Sequence, residues 1–495
     1  MVTRSLTTAA LVAATAALMS AQGGPPQAAQ APTTQKMVLK GKAPISKEVL
    51  KVKMPKPQEA DLPNGLHLIV IEDRRLPQIS FQMVIPGAGG YYDPANQIGL
   101  AQNTASMMRE GTKTRTTLQI AQELETMAAN MAIGTGLSTQ TATVSGGALT
   151  ENFDKLFEIA TDVLMNPTFP AEEWTKAKAR TKSGLLQQRA NPGFLANEHF
   201  TRIMYGSHPA GRATVTAESL DAITPEAMAE FYRAQYVPDH ALIAFAGDIS
   251  LPEARKRVED KLGAWKKAGT PKPTIIEPPA PGAPKVTLVA RPNSVQTLLM
   301  VAAPGMTRTD PDYEALSVAN RVLGGTMGRL FRHLREEKGY TYGIGSGINA
   351  SKYRGDWTAS TSVRTAVTAD ALRDLLAEIE EMRTTPVPAS EFQDNKGALV
   401  AAFALSLENS ASVVNYYVQS WTYGFPADHW DNYPARIAAV TQEQALAATK
   451  KYWDPARLQI IAVGDAPQIT EILKKYGTVD LYDADGKPLK TGASQ

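Results

Sequence analysis

The sequence repeats itself at a nearly constant distance, and this constrains the fold more than any single motif. Thr224-Pro225-Glu226 recurs as Thr441-Gln442-Glu443, and Ile243-Ala244-Phe245-Ala246-Gly247-Asp248 as Ile460-Ile461-Ala462-Val463-Gly464-Asp465, both 217 positions on (441 − 224, 464 − 247). Asp93-Pro94 matches Asp310-Pro311 at the same offset; Gln78 and the run ending Pro86-Gly87 match Gln296 and the run ending Pro304-Gly305 at 218. Landmarks at both ends of a segment predict two homologous halves, 57–266 and 285–478. A Pro-rich linker over 267–284 joins them and a polar tail over 479–495 follows.

In the first half, apolar or alternating runs at 66–71, 79–85 and 242–246 predict strands, and helical periodicity falls at 98–109, 117–131, 150–165, 171–190 and 225–234. The alternating run 139–144 reads as a strand at a sheet edge. The second half repeats the order: strands at 286–290 and 297–303, helices at 311–323 and 328–337, a hairpin across 340–362, then helices at 367–384 and 388–420, the last broken. Strands followed by blocks of helices predict an α+β fold, each half an antiparallel-rich sheet packed with helices.

Charge is uneven. Residues 1–59 hold eight basic and two acidic side chains, net +6, so the remainder of a chain of net +2 is at −4. A mildly acidic body offers no footprint for nucleic acid. Basic Met1–Arg4, an apolar run from Leu6 to Met19 and a small-residue zone at Ser20-Ala21 predict an export signal over 1–21, and so a periplasmic or secreted protein. Residues 22–56 read as a basic, Pro-rich tether, and no further stretch is apolar for long enough to span a bilayer.

There is no cysteine, which excludes thiolate metal sites and thiol nucleophiles. The six histidines, His67, His199, His208, His240, His333 and His429, include no pair three to five apart as a helical zinc pair requires. No G-x-S-x-G is present, and no G-K-[ST] follows Gly324-Gly325.

Several spaced motifs resemble the insulinase/pitrilysin metallopeptidases, including mitochondrial processing peptidase and its bacterial relatives. They are Leu62-Pro63-Asn64-Gly65-Leu66, Gly99-Leu100-Ala101, Met107-Met108, Glu110-Gly111-Thr112, Leu323-Gly324-Gly325-Thr326-Met327-Gly328-Arg329-Leu330-Phe331 and Leu334-Arg335-Glu336-Glu337-Lys338-Gly339, ending at Tyr342. The resemblance implies H-x-x-E-H between Ala101 and Met107: histidines one helical turn apart would hold zinc beside a glutamate base. Here Gln102 and Ser106 replace the histidines and Ala105 the glutamate. Near 182–188, where the resemblance places a third, glutamate ligand, the chain reads Lys-Ser-Gly-Leu-Leu-Gln-Gln. The expectation is no catalytic residue and no metal in this chain alone.

What remains is Arg335 and Tyr342, seven positions apart across a corner that Gly339 can form. Taken alone, they read first as an ion-paired arginine and a packed tyrosine. The resemblance turns them toward substrate binding: in two-chain bacterial members one subunit holds zinc and its partner supplies this pair. It also implies that an extended peptide adds to an edge strand such as 139–144, by main-chain hydrogen bonds. The expected function is thus the non-catalytic, substrate-binding subunit of an exported zinc-dependent peptidase, acting on unfolded peptides with an H-x-x-E-H-bearing partner that holds the zinc. The alternative is an inactive peptide-binding or scaffold protein of the same fold.

Overall fold

The computed structural model describes residues 52–269, 271 and 273–489. The expected export signal, the tether up to residue 51 and the last residues of the tail lie outside the described residues. Strands β1 (Gln58–Asp61), β2 (His67–Glu72), β3 (Gln78–Pro86), β4 (Asn130–Gly134), β5 (Thr141–Leu149) and β6 (Leu242–Gly247) form one sheet, ordered β1-β2-β6-β3-β5-β4. Strands β7 (Val286–Ala290), β8 (Gln296–Pro304), β9 (Thr341–Asn349), β10 (Asp356–Arg364), β11 (Gln459–Gly464) and β12 (Val479–Tyr482) form a second, ordered β12-β7-β11-β8-β10-β9. The orders β2-β6-β3-β5-β4 and β7-β11-β8-β10-β9 correspond strand for strand, so β4 and β9 are equivalent edges. The outermost strands differ: β1 runs antiparallel to β2, whereas β12 runs parallel to β7.

Helices α1 (Leu100–Met107), α2 (Thr117–Thr126), α3 (Thr150–Met165), α4 (Ala171–Gln188), α5 (Pro192–Tyr205), α6 (Ala217–Ala222), α7 (Pro225–Gln235) and α8 (Leu251–Leu262) belong to the first half. The second holds α9 (Tyr313–Gly324), α10 (Thr368–Thr384), α11 (Ala389–Ser406), α12 (Ser410–Tyr423), α13 (Tyr433–Ala439), α14 (Gln442–Tyr452) and α15 (Ala466–Leu473). Among the described residues no single helix is long and apolar enough to cross a membrane; α11 and α12 qualify only as a pair, bent by 110°.

Strand β6 is buried along its whole length because both faces of its sheet are covered. Ile243 and Phe245 point into the core with Phe81, Phe153 and Phe157. Leu242, Ala244 and Ala246 point the other way, onto Val413, Val414 and Tyr417 of α12. Strand β11 repeats this: Ile460 and Ala462 face their own core, while Ile461 and Val463 meet Leu195, Phe200 and Met204 of α5. Each half therefore lays one helix on the other half's sheet.

The two lent helices are themselves repeat equivalents. Each starts at an asparagine cap: Asn191 Oδ1 accepts from Gly193 N at 2.8 Å, and Asn409 Oδ1 from Ala411 N at 2.9 Å. Each ends at a glycine of positive φ, Gly206 (+57°) and Gly424 (+69°). Both pairs of landmarks are 218 apart (409 − 191, 424 − 206).

The structure departs from the sequence reading at several elements. The helix expected over 117–131 stops at Thr126, and 130–134 is strand β4, with Met131 and Ile133 buried in alternation. Strand β5, which contains most of 139–144, is not the edge: it pairs with β3 on one side and β4 on the other. Residues 479–482 of the expected tail are strand β12, closing the second sheet. The last tether residues are docked: Met54 is buried against α12, and its N–H donates to Asp431 Oδ1 at 2.8 Å.

Candidate functional site

Helix α1 is fixed at its start by Asp93, whose carboxylate accepts Gly99 N at 2.7 Å and Ala101 N at 2.8 Å. Leu100, Ala101, Ala105 and Met107 enter the core, so Gln102 and Ser106 share the opposite, exposed face. The geometry that would present two ligands one turn apart is intact, but the chemistry is not. Ser106 Oγ donates back to Gln102 O at 3.0 Å, and Ala105 is a fully buried methyl group. On α4, Lys182 is bound to Asp221 at 2.7 Å and the last turns carry no carboxylate. Neutral amide and hydroxyl groups are poor zinc ligands. Among the described residues no cluster of three or more His, Asp or Glu side chains could hold a metal. The residues present do not fit a zinc ion.

Arg335 and Tyr342 come together. Residues 331–337 form a π-helical turn, a geometry that recurs at functional sites. The turn ends at Gly339 (φ +61°), whose N–H donates to Arg335 O at 3.0 Å while Tyr340 N–H donates to Leu334 O at 2.9 Å. The chain then enters edge strand β9 through an irregular register: Thr341 pairs with Val363 and Ile344 with Thr361. Tyr342 and Gly343 thus stand opposite Ser362 alone, a β-bulge that re-aims the side chain. Tyr342 is 89% exposed.

The Arg335 guanidinium lies between two rings, 4.5 Å from the Phe331 centroid and 4.9 Å from that of Tyr342. Its one ionic neighbour among the described residues is Glu336, at 3.4 Å. The turn before it is anchored by Arg329, which binds Glu391 at 2.7 Å. A half-open guanidinium beside an exposed phenol presents hydrogen-bond donors suited to peptide carbonyls. The bulge and the π turn escaped sequence reading, because neither has a composition of its own.

A cavity of about 570 Å³ opens at the seam between the halves, with Gln102 on one wall and Asn349, Tyr353 and Asp356 of the second half on another.

Two family models match the chain in succession: Insulinase (Peptidase family M16) over residues 68–218, and the Peptidase M16 inactive domain over 222–399. The chain belongs to the M16 peptidase family. An uncharacterized zinc protease of Streptomyces coelicolor is 24% identical over 354 residues, 70% of this chain and 76% of that one. The uncharacterized zinc protease YmxG of Bacillus subtilis is 24% identical over 355 residues, 70% of this chain and 84% of that one. A solved M16 inactive domain from Pseudomonas fluorescens superposes with a TM-score of 0.75 at 26% identity, covering 83% of this chain and 98% of that one. A protease from Helicobacter pylori, at 14% identity, shares the fold with a TM-score of 0.76 over 83% of this chain and 100% of its own. This M16 chain therefore has the α+β architecture of the family, while α1 lacks the groups that a zinc site needs.

Proposed function

We propose that this chain is the zinc-less, substrate-binding subunit of an exported two-chain M16 peptidase that acts on unfolded peptides. The observation that carries the reading is the pairing of Arg335 with the exposed Tyr342 on an edge strand, in a chain whose α1 offers Gln102, Ala105 and Ser106 where a zinc enzyme needs acids and imidazoles. The partner chain bears H-x-x-E-H, with the metal, its water and the general base. Arg335 and Tyr342 donate hydrogen bonds to the peptide carbonyl and to the oxyanion that develops from it. The unpaired side of an edge strand supplies main-chain hydrogen bonds to an extended peptide, which tolerates varied sequence; β4 and β9 are edge strands of the two sheets, at the ends opposite β1 and β12, and β9 carries Tyr342.

The test is to purify the tagged chain from its native host, identify its companions by mass spectrometry and assay peptide hydrolysis by the recovered complex. A near-stoichiometric M16 chain with H-x-x-E-H, active only when combined with this one, is the expected result. A chain recovered alone, or with itself, and inert with every such M16 protein of the host would overturn the reading in favour of an inactive peptide-binding protein.

A further inference from the structure

The seam cavity has a chemistry separate from that of the Arg335 corner. Asp356 is only 4% exposed, yet it borders the cavity. Its Oδ2 accepts from the Tyr205 hydroxyl and from Asn349 Nδ2 at 3.1 Å, and its Oδ1 accepts no hydrogen bond among the described residues. Two neutral donors compensate a buried carboxylate poorly. Burial accordingly pushes its pKa up, the dominant influence on it.

Two cations lie near: Arg212, on the cavity wall, and Arg354, whose buried Nε and Nη1 have no hydrogen-bond partner among the described residues. Arg212 donates to the carbonyls of Gly90, Tyr91 and Asp93. Arg354 donates to Met204 O at 3.1 Å and Pro279 O at 2.8 Å, and its guanidinium lies 5.8 Å from the Tyr205 ring centroid. Neither forms an ion pair with Asp356. The same cavity is walled by the rings of Phe200, Tyr205 and Tyr353, the last two edge to face at 6.4 Å. Aromatic faces attract cations, most strongly where water is excluded. The volume, about 570 Å³, suits a small ligand or one long side chain.

We propose that this cavity binds an alkylammonium group, held by the unoccupied oxygen of Asp356 and flanked by the rings of Tyr205, Tyr353 and Phe200. A free diamine and a lysine side chain carry the same head group, and the cavity is built for that head group.

The inference does not depend on a partner chain, so it is tested on this protein alone by isothermal titration near pH 7. The probes are 1,5-diaminopentane and Nα-acetyl-lysine amide. Saturable binding at one site is expected for at least one of them, and the tighter probe identifies the source as a free amine or a peptide side chain. Asp356→Asn keeps an oxygen for Tyr205 while removing the charge, and should weaken binding at least 10-fold. Ala213→Phe, at a lining position in a loop, should obstruct entry with Asp356 intact. No saturable binding of either probe to the wild-type chain would overturn the proposal. So would unchanged affinity in Asp356→Asn or, should that variant not fold, in Ala213→Phe. Either failure leaves the subunit reading standing, because that reading is decided by co-purification and hydrolysis.

Discussion

The guanidinium of Arg335 lies 4.9 Å from the centre of the Tyr342 ring, although the two residues belong to different elements joined by a left-handed glycine. Each sits on a local irregularity, a π turn and a β-bulge, that directs its side chain outward. Since Tyr342 is exposed, Tyr342→Phe should leave the melting temperature within about 1 °C, consistent with the small effect of most surface changes. In the reconstituted complex, Arg335→Ala should lower kcat/KM by roughly 100-fold, the order for loss of one oxyanion donor, and Tyr342→Phe by less. Steady-state hydrolysis of an unstructured peptide checks both. Unchanged values in both would remove the assigned roles.

Gly324 positions that corner from behind. A Cβ there would lie 1.9 Å from Ser346 Oγ and 2.4 Å from Ser346 N, so β9 would have to move. Gly324→Ala should cost about 1–3 kcal/mol, as overpacking does, and should reduce activity of the complex more than its stability loss explains. Urea unfolding beside kcat/KM separates the two effects.

The α1 face keeps the spacing of a helical metal pair without its ligands. Gln102→His with Ser106→His should create zinc binding in the micromolar range, measurable by titration calorimetry, with none in the wild-type chain. Peptidase activity should not follow, because Ala105 cannot serve as a base and α4 supplies no third ligand. Hydrolysis by this double variant alone would contradict that account.

His199 gives the fold a pH dependence. It is buried on α5 against Tyr482, with ring centroids 4.5 Å apart, and its Nε2 has no partner. Burial first, and Arg202 second, lower its pKa to about 4. The unfolded chain takes up that proton near pH 6.5, so between about pH 6.5 and 4 the unfolded state binds more protons. Stability therefore falls as pH is lowered through that window, by roughly 3 kcal/mol from this residue, and is unaffected above it. His199→Phe should flatten this part of a plot of urea midpoint against pH. A profile identical to wild type would refute the assignment.

Much of this was legible in the sequence, for reasons that particular residues make plain. The repeat from Gly247 to Gly464 marked strands whose both faces are apolar, and periodicity marked the long helices. The substitutions at Gln102, Ala105 and Ser106 are chemical statements that need no coordinates. Strand β4 was hidden because Met127 and Met131 also fit a helical period, and only the shorter alternation of Met131 with Ile133 betrays the strand. Helix α5 went unread although Asn191-Pro192 announces its cap. Which sheet it covers depends on contacts far away in the chain, with Val289 and Ile461. The proximity of Arg335 to Tyr342 rested on a corner at Gly339, a local feature, while the bulge that turns Tyr342 outward arises from pairing with β10.

The lending of α5 and α12 has a mechanical consequence. Two chains that trade an equivalent helix form a domain-swapped dimer, and the two halves of this chain trade α5 and α12 in a similar manner. Pulling the halves apart would strip α5 from β11 and α12 from β6 at once, leaving two sheets bare to water. The chain cannot gape along its own seam without partial unfolding. In the proposed two-chain enzyme, a hinge that admits peptide would then lie between the chains.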